Sequence, residues 1–279
     1  MVPNSAAGAI DPAAALKQLG ELPPLSASAT QIFSLTMASE SSLTDLEHVF
    51  RADPALTADL LITANSAAFC GRARVSTILH ALAILGLERV RSLAMTIAMS
   101  GYIRSHIPRE ATERIWAHAV ATAVVAELLG KYSDVASGSV LYTAGLMHDL
   151  GRLGLLANLK EPYHNFLKTE FVTVAESDER ERQAFGISHT VAGEFLAEEW
   201  GLPLVLSDCC RCHHDESDLA EEEEVRIVRT ACIIADALGY PELSLQKRAK
   251  SVAADIWLEE CAGNSLRDSI KAKIEAFSF

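Results

Sequence analysis

The chain has 279 residues, 49% hydrophobic and 22% charged, the balance of an ordinary globular protein, so intrinsic disorder and fibrous repeats are excluded. Its 37 acidic against 24 basic side chains leave a net charge of -13, a field that repels phosphate backbones and anionic lipid surfaces, so general nucleic-acid binding is disfavoured. This length allows one large domain or two small ones and buries roughly 75% of the unfolded surface, so neither disulfides nor metal are needed as staples.

Strand-like alternation is almost absent and helical punctuation recurs, which predicts an all-α fold. Asp53-Pro54 is a capping residue followed by proline at the first helical position, with Leu56, Leu60, Leu61 and Ala64 on one face and an end near Asn65-Ser66. Ser76 is the expected cap of a helix carrying Ile78, Ala81, Leu82 and Leu85 up to Gly86, and another helix runs from Leu87 to about Ser100. Ile107-Pro108-Arg109-Glu110 could separate this N-terminal bundle from a second one. A long buried helix is predicted from Ala111 to about Tyr132, with Trp116 and His118 in its first half. The next runs from about Ser137 to Asp149, with Gly151 and Gly154 placed just past its end as left-handed terminators. Ser188 caps a helix through Trp200, Gly201 closes it, and Pro203 opens the next toward His213-His214. Glu221 to Glu224 form a solvated first turn of a last long helix, and the tail from Leu243 to Phe279 has helical pattern without nameable chemistry.

The N-terminus lacks the cationic start and apolar stretch of a signal peptide, and no apolar run reaches the roughly 18 residues of a membrane span. The expectation is a cytoplasmic protein with no membrane association. The six cysteines, Cys70, Cys209, Cys210, Cys212, Cys232 and Cys261, do not form a disulfide framework. Cys209-Cys210-Arg211-Cys212 has no second paired-cysteine half for a zinc knuckle and reads as buried cysteine on a helix face.

Five of the nine histidines, His118, His148, His189, His213 and His214, fall in the second bundle on or beside helix ends, with Asp149 and Asp236. Each histidine alone reads as a packed or surface residue; together they form the imidazole and carboxylate set that suits zinc, manganese or iron. They are spaced by roughly 20 to 40 residues, about one helix and a turn, so successive helices of a bundle could supply them to one or two ions.

Gly145-Leu-Met-His148-Asp149-Leu-Gly-Arg152-Leu resembles the signature of the HD superfamily of metal-dependent phosphohydrolases. That resemblance implies His118, His148, Asp149 and Asp236 as metal ligands, and similarity to the HD-GYP branch adds His189, His213 and His214. It further implies a two-metal centre bridged by Asp149, with a metal-bound water as nucleophile toward phosphorus. Gly239-Tyr240-Pro241 follows Asp236 and reads as a helix C-cap. Where HD-GYP proteins carry their naming motif, after the paired histidines, this chain has Asp215-Glu216-Ser217-Asp218-Leu219.

From about Leu22 to Asp236 the chain is also similar to the HDOD family, through Leu22-Pro23-Pro24-Leu25, Asp53-Pro54-Ala-Leu56, Leu60, Asn65-Ser66 and the segment from Ala81 to Gly86. The HDOD resemblance implies an all-helical bacterial signalling module, in which the catalytic ligands are frequently missing; here they are kept. The expected organisation is an N-terminal extension (1–21), an N-terminal helical subdomain (22–106), an HD-like metal-site subdomain (107–241) and a C-terminal tail (242–279). The expected function is a regulatory module with a retained metal site and a protein partner. The alternative is an active phosphohydrolase on a phosphate ester, with Asp149, Arg152 and His214 catalytic, Arg152 neutralising phosphate and His214 acting as general acid or substrate contact.

Overall fold

The computed structural model describes residues 11–38, 40–66, 69, 74–131, 137–214, 222–247 and 264–276. The first helical group contains α1 (Pro12–Gly20), α2 (Ala27–Met37), α3 (Leu43–Ala52), α4 (Pro54–Ala64), α5 (Ile78–Leu85) and α6 (Leu87–His106). Asp53 ends α3 and caps α4, its carboxylate accepting from the amides of Ala55 and Leu56, while Pro54 has no amide proton to satisfy. Asn65 closes α4 and clamps the chain where it returns. Its amide donates to the carbonyls of Leu61 and Val75, both at 2.7 Å, and its carbonyl accepts from Val75 at 2.9 Å.

Two boundaries differ from expectation. The cap of α5 is Thr77 rather than Ser76: its hydroxyl accepts from the His80 amide three residues on. And α6 continues past Ser100 to His106: every residue from Val90 to Ser100 is buried, the polar row Ser92, Thr96 and Ser100 included, so Ser100 marks no end.

The second group contains α7 (Arg109–Gly130), α8 (Gly138–Met147), α9 (Leu150–Leu159), α10 (Glu161–Leu167), α11 (Val174–Phe185), α12 (His189–Glu199), α13 (Leu204–Cys212), α14 (Glu223–Ala237) and α15 (Asn264–Ala276). Two short strands, β1 (Glu170–Phe171) and β2 (Ser244–Leu245), pair in parallel. One apolar cluster runs from Ala15 in α1 to Ile270 in α15, so the two helical groups pack on a shared core. Within it α1 lies against α9 and α12, and α2 and α6 lie against α8.

The expected loop after Asp149 is helix instead. α8 stops at Met147, His148 and Asp149 form the break, and α9 begins at Leu150, with Gly151 and Gly154 inside it. These glycines permit close approach rather than reversed backbone: a Cβ on Gly151 would stand 1.8 Å from the carbonyl oxygen of His189. A Cβ on Gly145 in α8 would stand 2.9 Å from Cα of Ala123 in α7. Side-chain-free surfaces thus let α9 press on α12 and α8 on α7, which brings the chain break at 148–149 up against the start of α12, the end of α13 and the middle of α7. The stretch Asp215–Leu219, Cys70, Cys261 and most of the tail before α15 lie outside the described residues.

Candidate metal centre

The break between α8 and α9 supplies His148 and Asp149; the middle of α7 supplies His118; the first turn of α12 supplies His189; and the end of α13 supplies His213 and His214. His118, His148, Asp149, His189 and His213 are each 1% exposed or less. Asp149 is the centre of the group. Its Oδ1 lies 3.4 Å from His213 Nε2 and 3.7 Å from His189 Nε2, and its Oδ2 lies 3.7 Å from His148 Nε2. His213 and His214 sit with ring centroids 3.9 Å apart, and His214 Nε2 is 3.5 Å from Glu242 Oε1.

Four of the imidazoles have their tautomer fixed from behind. Nδ1 of His118 lies 2.7 Å from the carbonyl oxygen of Tyr240, Nδ1 of His148 lies 2.7 Å from that of Gly145, and Nδ1 of His213 lies 3.0 Å from those of Cys209 and Cys210. Nδ1 of His189 lies 2.7 Å from Glu181 Oε2. Carbonyl and carboxylate oxygens only accept, so each Nδ1 must donate, and a ring that carries that proton alone presents its lone pair at Nε2. Those Nε2 atoms face inward. Among the described residues His189 Nε2, His213 Nε2 and both carboxylate oxygens of Asp149 make no hydrogen bond. Buried acceptors left facing one another are costly, and an outer hydrogen bond on the far ring nitrogen is how metal-ligating histidines are oriented.

The electrostatics are lopsided in the same sense. Arg152, fully buried, donates from Nε to Glu242 Oε2 at 2.7 Å and from Nη1 to Glu181 Oε1 at 2.8 Å, and its Nε is 3.4 Å from Asp149 Oδ1. Three carboxylates therefore share one guanidinium. Burial, with the Glu242 carboxylate close by, pushes Asp149 well above the usual carboxylate range. Burial also works against ionising Glu242 and Glu181, but Arg152 holds Glu242 well below the usual range, and His189 with Arg152 holds Glu181 at about 2. Burial and the neighbouring His118 ring push His148 down to about 3, and burial with the His214, His148 and His189 rings keeps His213 well below the usual imidazole range. Imidazole nitrogens converging on buried carboxylates are a donor set that a divalent cation satisfies.

Two groups of side chains in ligating distance share Asp149: one with His189, His213 and His214, the other with His118 and Glu242. A third group joins His118, His148 and Cys232. The sequence-predicted residues His118, His148, Asp149, His189, His213 and His214 are thus brought together. Asp236 is adjacent but differently placed: its Oδ1 is 3.4 Å from Nδ1 of His118, the outward side of that ring. Arg152 is beside Asp149, with its guanidinium engaged by Glu242, Glu181 and Tyr163 rather than turned toward an open phosphate position.

Glu242, Glu181 and Cys232 were not among the sequence candidates. Glu242 falls in the stretch assigned to the tail. Gly239, at φ 99, ends α14, Pro241 follows, and Arg114 holds the Glu242 carbonyl at 2.8 Å, so the expected C-cap at 239–241 also swings this carboxylate inward. The β1–β2 pairing then fixes the segment, with Gln246 and Lys247 amides donating to Phe171 and Val172 carbonyls at 2.9 Å. The cysteine run behaves as expected for core residues: Cys209, Cys210 and Cys212 are buried, and burial raises the first two thiols.

Residues 22–216, well over half of the chain, match the family model described as HDOD domain. The chain belongs to the HDOD family. Among solved structures, this HDOD chain is similar to an HDOD domain protein of unknown function from Geobacter sulfurreducens, with TM-score 0.72 and 20% identity over 94% of this chain and 98% of that one. It is also similar to a Shewanella amazonensis protein provisionally described as a phosphohydrolase, with TM-score 0.69 and 20% identity over 95% of this chain and 96% of that one. At these identities the likeness is one of fold. A curated relative, an uncharacterized protein of Treponema pallidum (strain Nichols), is 24% identical over 206 residues, which are 74% of this chain and 40% of that protein. This HDOD chain thus spans less than half the length of that relative. No helix among the described residues is long and apolar enough to cross a membrane.

Proposed function

We propose that this protein is a regulatory signalling module of the HDOD family built around a resident divalent metal centre, acting on a protein partner rather than turning over a phosphate ester. One observation carries the reading: His118, His148, Asp149, His189 and His213 are each at most 1% exposed, only the His214 side chain, at 13%, reaches toward the surface, and Arg152, the cation beside them, is fully buried and held by Glu242 and Glu181. A phosphate ester needs both an approach to the metal and a cation to meet its charge. Arg152 instead orients three carboxylates within the site.

The residues that would hold the metal are Asp149, His189, His213 and His214 on one side and His118, His148, Asp149 and Glu242 on the other. A divalent ion supplies Lewis acidity toward oxygen ligands when bound. Glu181 orients His189, the carbonyls of Gly145 and Tyr240 orient His148 and His118, and Arg152 positions Asp149 and Glu242. Because these residues come from α7, the α8–α9 break, α12, α13 and the segment after α14, metal occupancy ties five parts of the chain together. Occupancy therefore sets how firmly the second helical group is braced behind the first, and a partner reading the first group would sense it.

The second reading, an active phosphohydrolase, is favoured by the sharing of Asp149 between two ligand groups, the arrangement a two-ion centre needs. One experiment separates them. The purified chain is analysed for bound metal and assayed on generic phosphodiester and phosphomonoester substrates with added manganese or iron, beside His148→Ala. Metal bound without turnover is the expected result. Metal-dependent turnover that disappears in His148→Ala would overturn the regulatory reading in favour of the enzyme.

A further inference from the structure

Within the centre, His118 and His148 meet in a way their own chemistry does not explain. Their Nε2 atoms are 3.3 Å apart, and each ring has already committed its proton to a carbonyl behind it. Two lone pairs therefore face each other in a buried site. Two further atoms stand at this point: Oγ1 of Thr122, 3.4 Å from His118 Nε2, and Sγ of Cys232, also 3.4 Å from that nitrogen and within ligating reach of His148. Ligands on one tetrahedral zinc-like ion, with bonds of about 2.0–2.1 Å to nitrogen and about 2.3 Å to sulfur, stand about 3.3–3.6 Å apart. The 3.3 and 3.4 Å separations match that spacing.

The placement follows from α14. Cys232 and Asp236 are one turn apart on the same helix, which passes alongside the His118 ring: Asp236 reaches the outward Nδ1, and Cys232 reaches the inward Nε2. Resting on the metal-centre reading above, we infer that Cys232 is a thiolate ligand of the ion held by His118 and His148. The sulfur–metal bond forms as the thiol proton is released to solvent. Asp149, whose Oδ2 is 3.7 Å from His148 Nε2, stands next to this position as a carboxylate ligand. The two halves of the centre then differ in kind. The Asp149, His189, His213 and His214 half offers only nitrogen and oxygen; the Cys232 half selects a thiophilic ion of the zinc or cobalt class over magnesium or manganese.

The test uses the full chain stripped of metal and titrated with Co2+. Expected are visible ligand-field bands together with an intense near-ultraviolet sulfur-to-cobalt charge-transfer band. Cys232→Ser should lose the charge-transfer band and keep ligand-field bands from the other half, whereas Cys209→Ala, which removes another buried thiol, should keep both. X-ray absorption of the zinc-loaded wild-type chain supplies a measurement independent of any variant, and should find a sulfur scatterer at about 2.3 Å. Ligand-field bands with no charge-transfer band, or a charge-transfer band unchanged in Cys232→Ser, would overturn the role of Cys232 and leave the metal centre standing. A chain that binds neither Co2+ nor Zn2+ would overturn both.

Discussion

Nε of Arg152 donates to Oε2 of Glu242 at 2.7 Å, and neither side chain is more than 3% exposed. The partners are 90 residues apart in sequence, so this bond fastens the segment after α14 to α9, at whose start Asp149 stands. The same guanidinium reaches Glu181, which in turn holds His189 and accepts from the Tyr163 hydroxyl at 2.7 Å. One cation thus sets the position of two carboxylates that act on the site and a third, Asp149, that lies at its middle.

Removing that cation leaves buried carboxylates without compensation, the situation in which a buried ion pair is expensive to break. Arg152→Met should lower unfolding stability by about 3–5 kcal/mol, read as a shift in urea midpoint with an unchanged slope. A loss below about 1 kcal/mol, the size of a surface pair, would show that Arg152 does not organise the centre.

Glu181 acts on metal only through the ring it orients. In Glu181→Gln the amide oxygen still accepts from Nδ1 of His189, so the tautomer survives while the ring loses the basicity a carboxylate confers. Affinity for Zn2+ should fall about 10–100-fold, measured by competition with a chelating dye, with ligand stoichiometry unchanged. Equal affinity in the variant and the parent chain would remove Glu181 from the site.

The convergence of His118, His148, Asp149, His189, His213 and His214 is legible in the sequence because each sits on or beside a helix with recognisable caps and one helix separates it from the next. What is not legible depends on contacts formed at long range. Glu242 is an ordinary acid in an irregular segment until β2 pairs with β1 and Arg114 grips its carbonyl. Glu181 lies in Glu176-Ser-Asp-Glu-Arg-Glu-Arg, a charge-dense run without an apolar face to mark which side turns inward, although Ser177 and Glu181 are buried one turn apart. Arg152 reads as a phosphate contact because it follows the His-Asp pair, and only the arrival of two acids from elsewhere turns it inward. The sequence reads as a helix ending at Asp149 with a loop from Gly151, since glycine marks helix ends as often as it marks close packing, whereas the break falls at 148–149 and helix resumes at Leu150. Asp53, Ser188 and the long helix from α7 were legible since caps and length are local properties.

The glycines of α9 give a direct test of that packing. A Cβ at 151 would overlap the His189 carbonyl at 1.8 Å and the Gly193 amide nitrogen at 2.6 Å, both backbone atoms that cannot rotate away. Gly151→Ala must therefore push α9 off α12, separating Asp149 from His189. A stability loss of about 1–3 kcal/mol or more is expected, with loss of stoichiometric metal binding. Full metal binding in a folded Gly151→Ala chain would contradict the close approach of the two helices.

Tyr102 provides a pH test remote from the metal ligands. Its hydroxyl donates to the Pro23 carbonyl at 3.1 Å, and its ring meets Trp200 edge-on at 5.1 Å, so it fastens the Leu22-Pro23-Pro24-Leu25 stretch between α1 and α2 onto α6. Burial pushes its phenol up to about 12 from an ordinary 10.0. The folded chain therefore favours the protonated phenol. Its contribution is complete below pH 10.0 and is lost as the pH rises toward about 12, because the unfolded chain gives up this proton first. Burial also raises Tyr142 and Tyr163, so the wild-type stability curve alone combines all three phenols. Tyr102→Phe isolates the first: it should cost about 0.5–1.5 kcal/mol near neutral pH from the lost hydrogen bond. Relative to wild type, its stability should then fall less steeply between pH 10.0 and about 12. Denaturant unfolding of both chains across that range, with tyrosinate absorbance followed in parallel, checks the difference. Parallel curves would mean that Tyr102 ionises as freely in the folded chain as in the unfolded one.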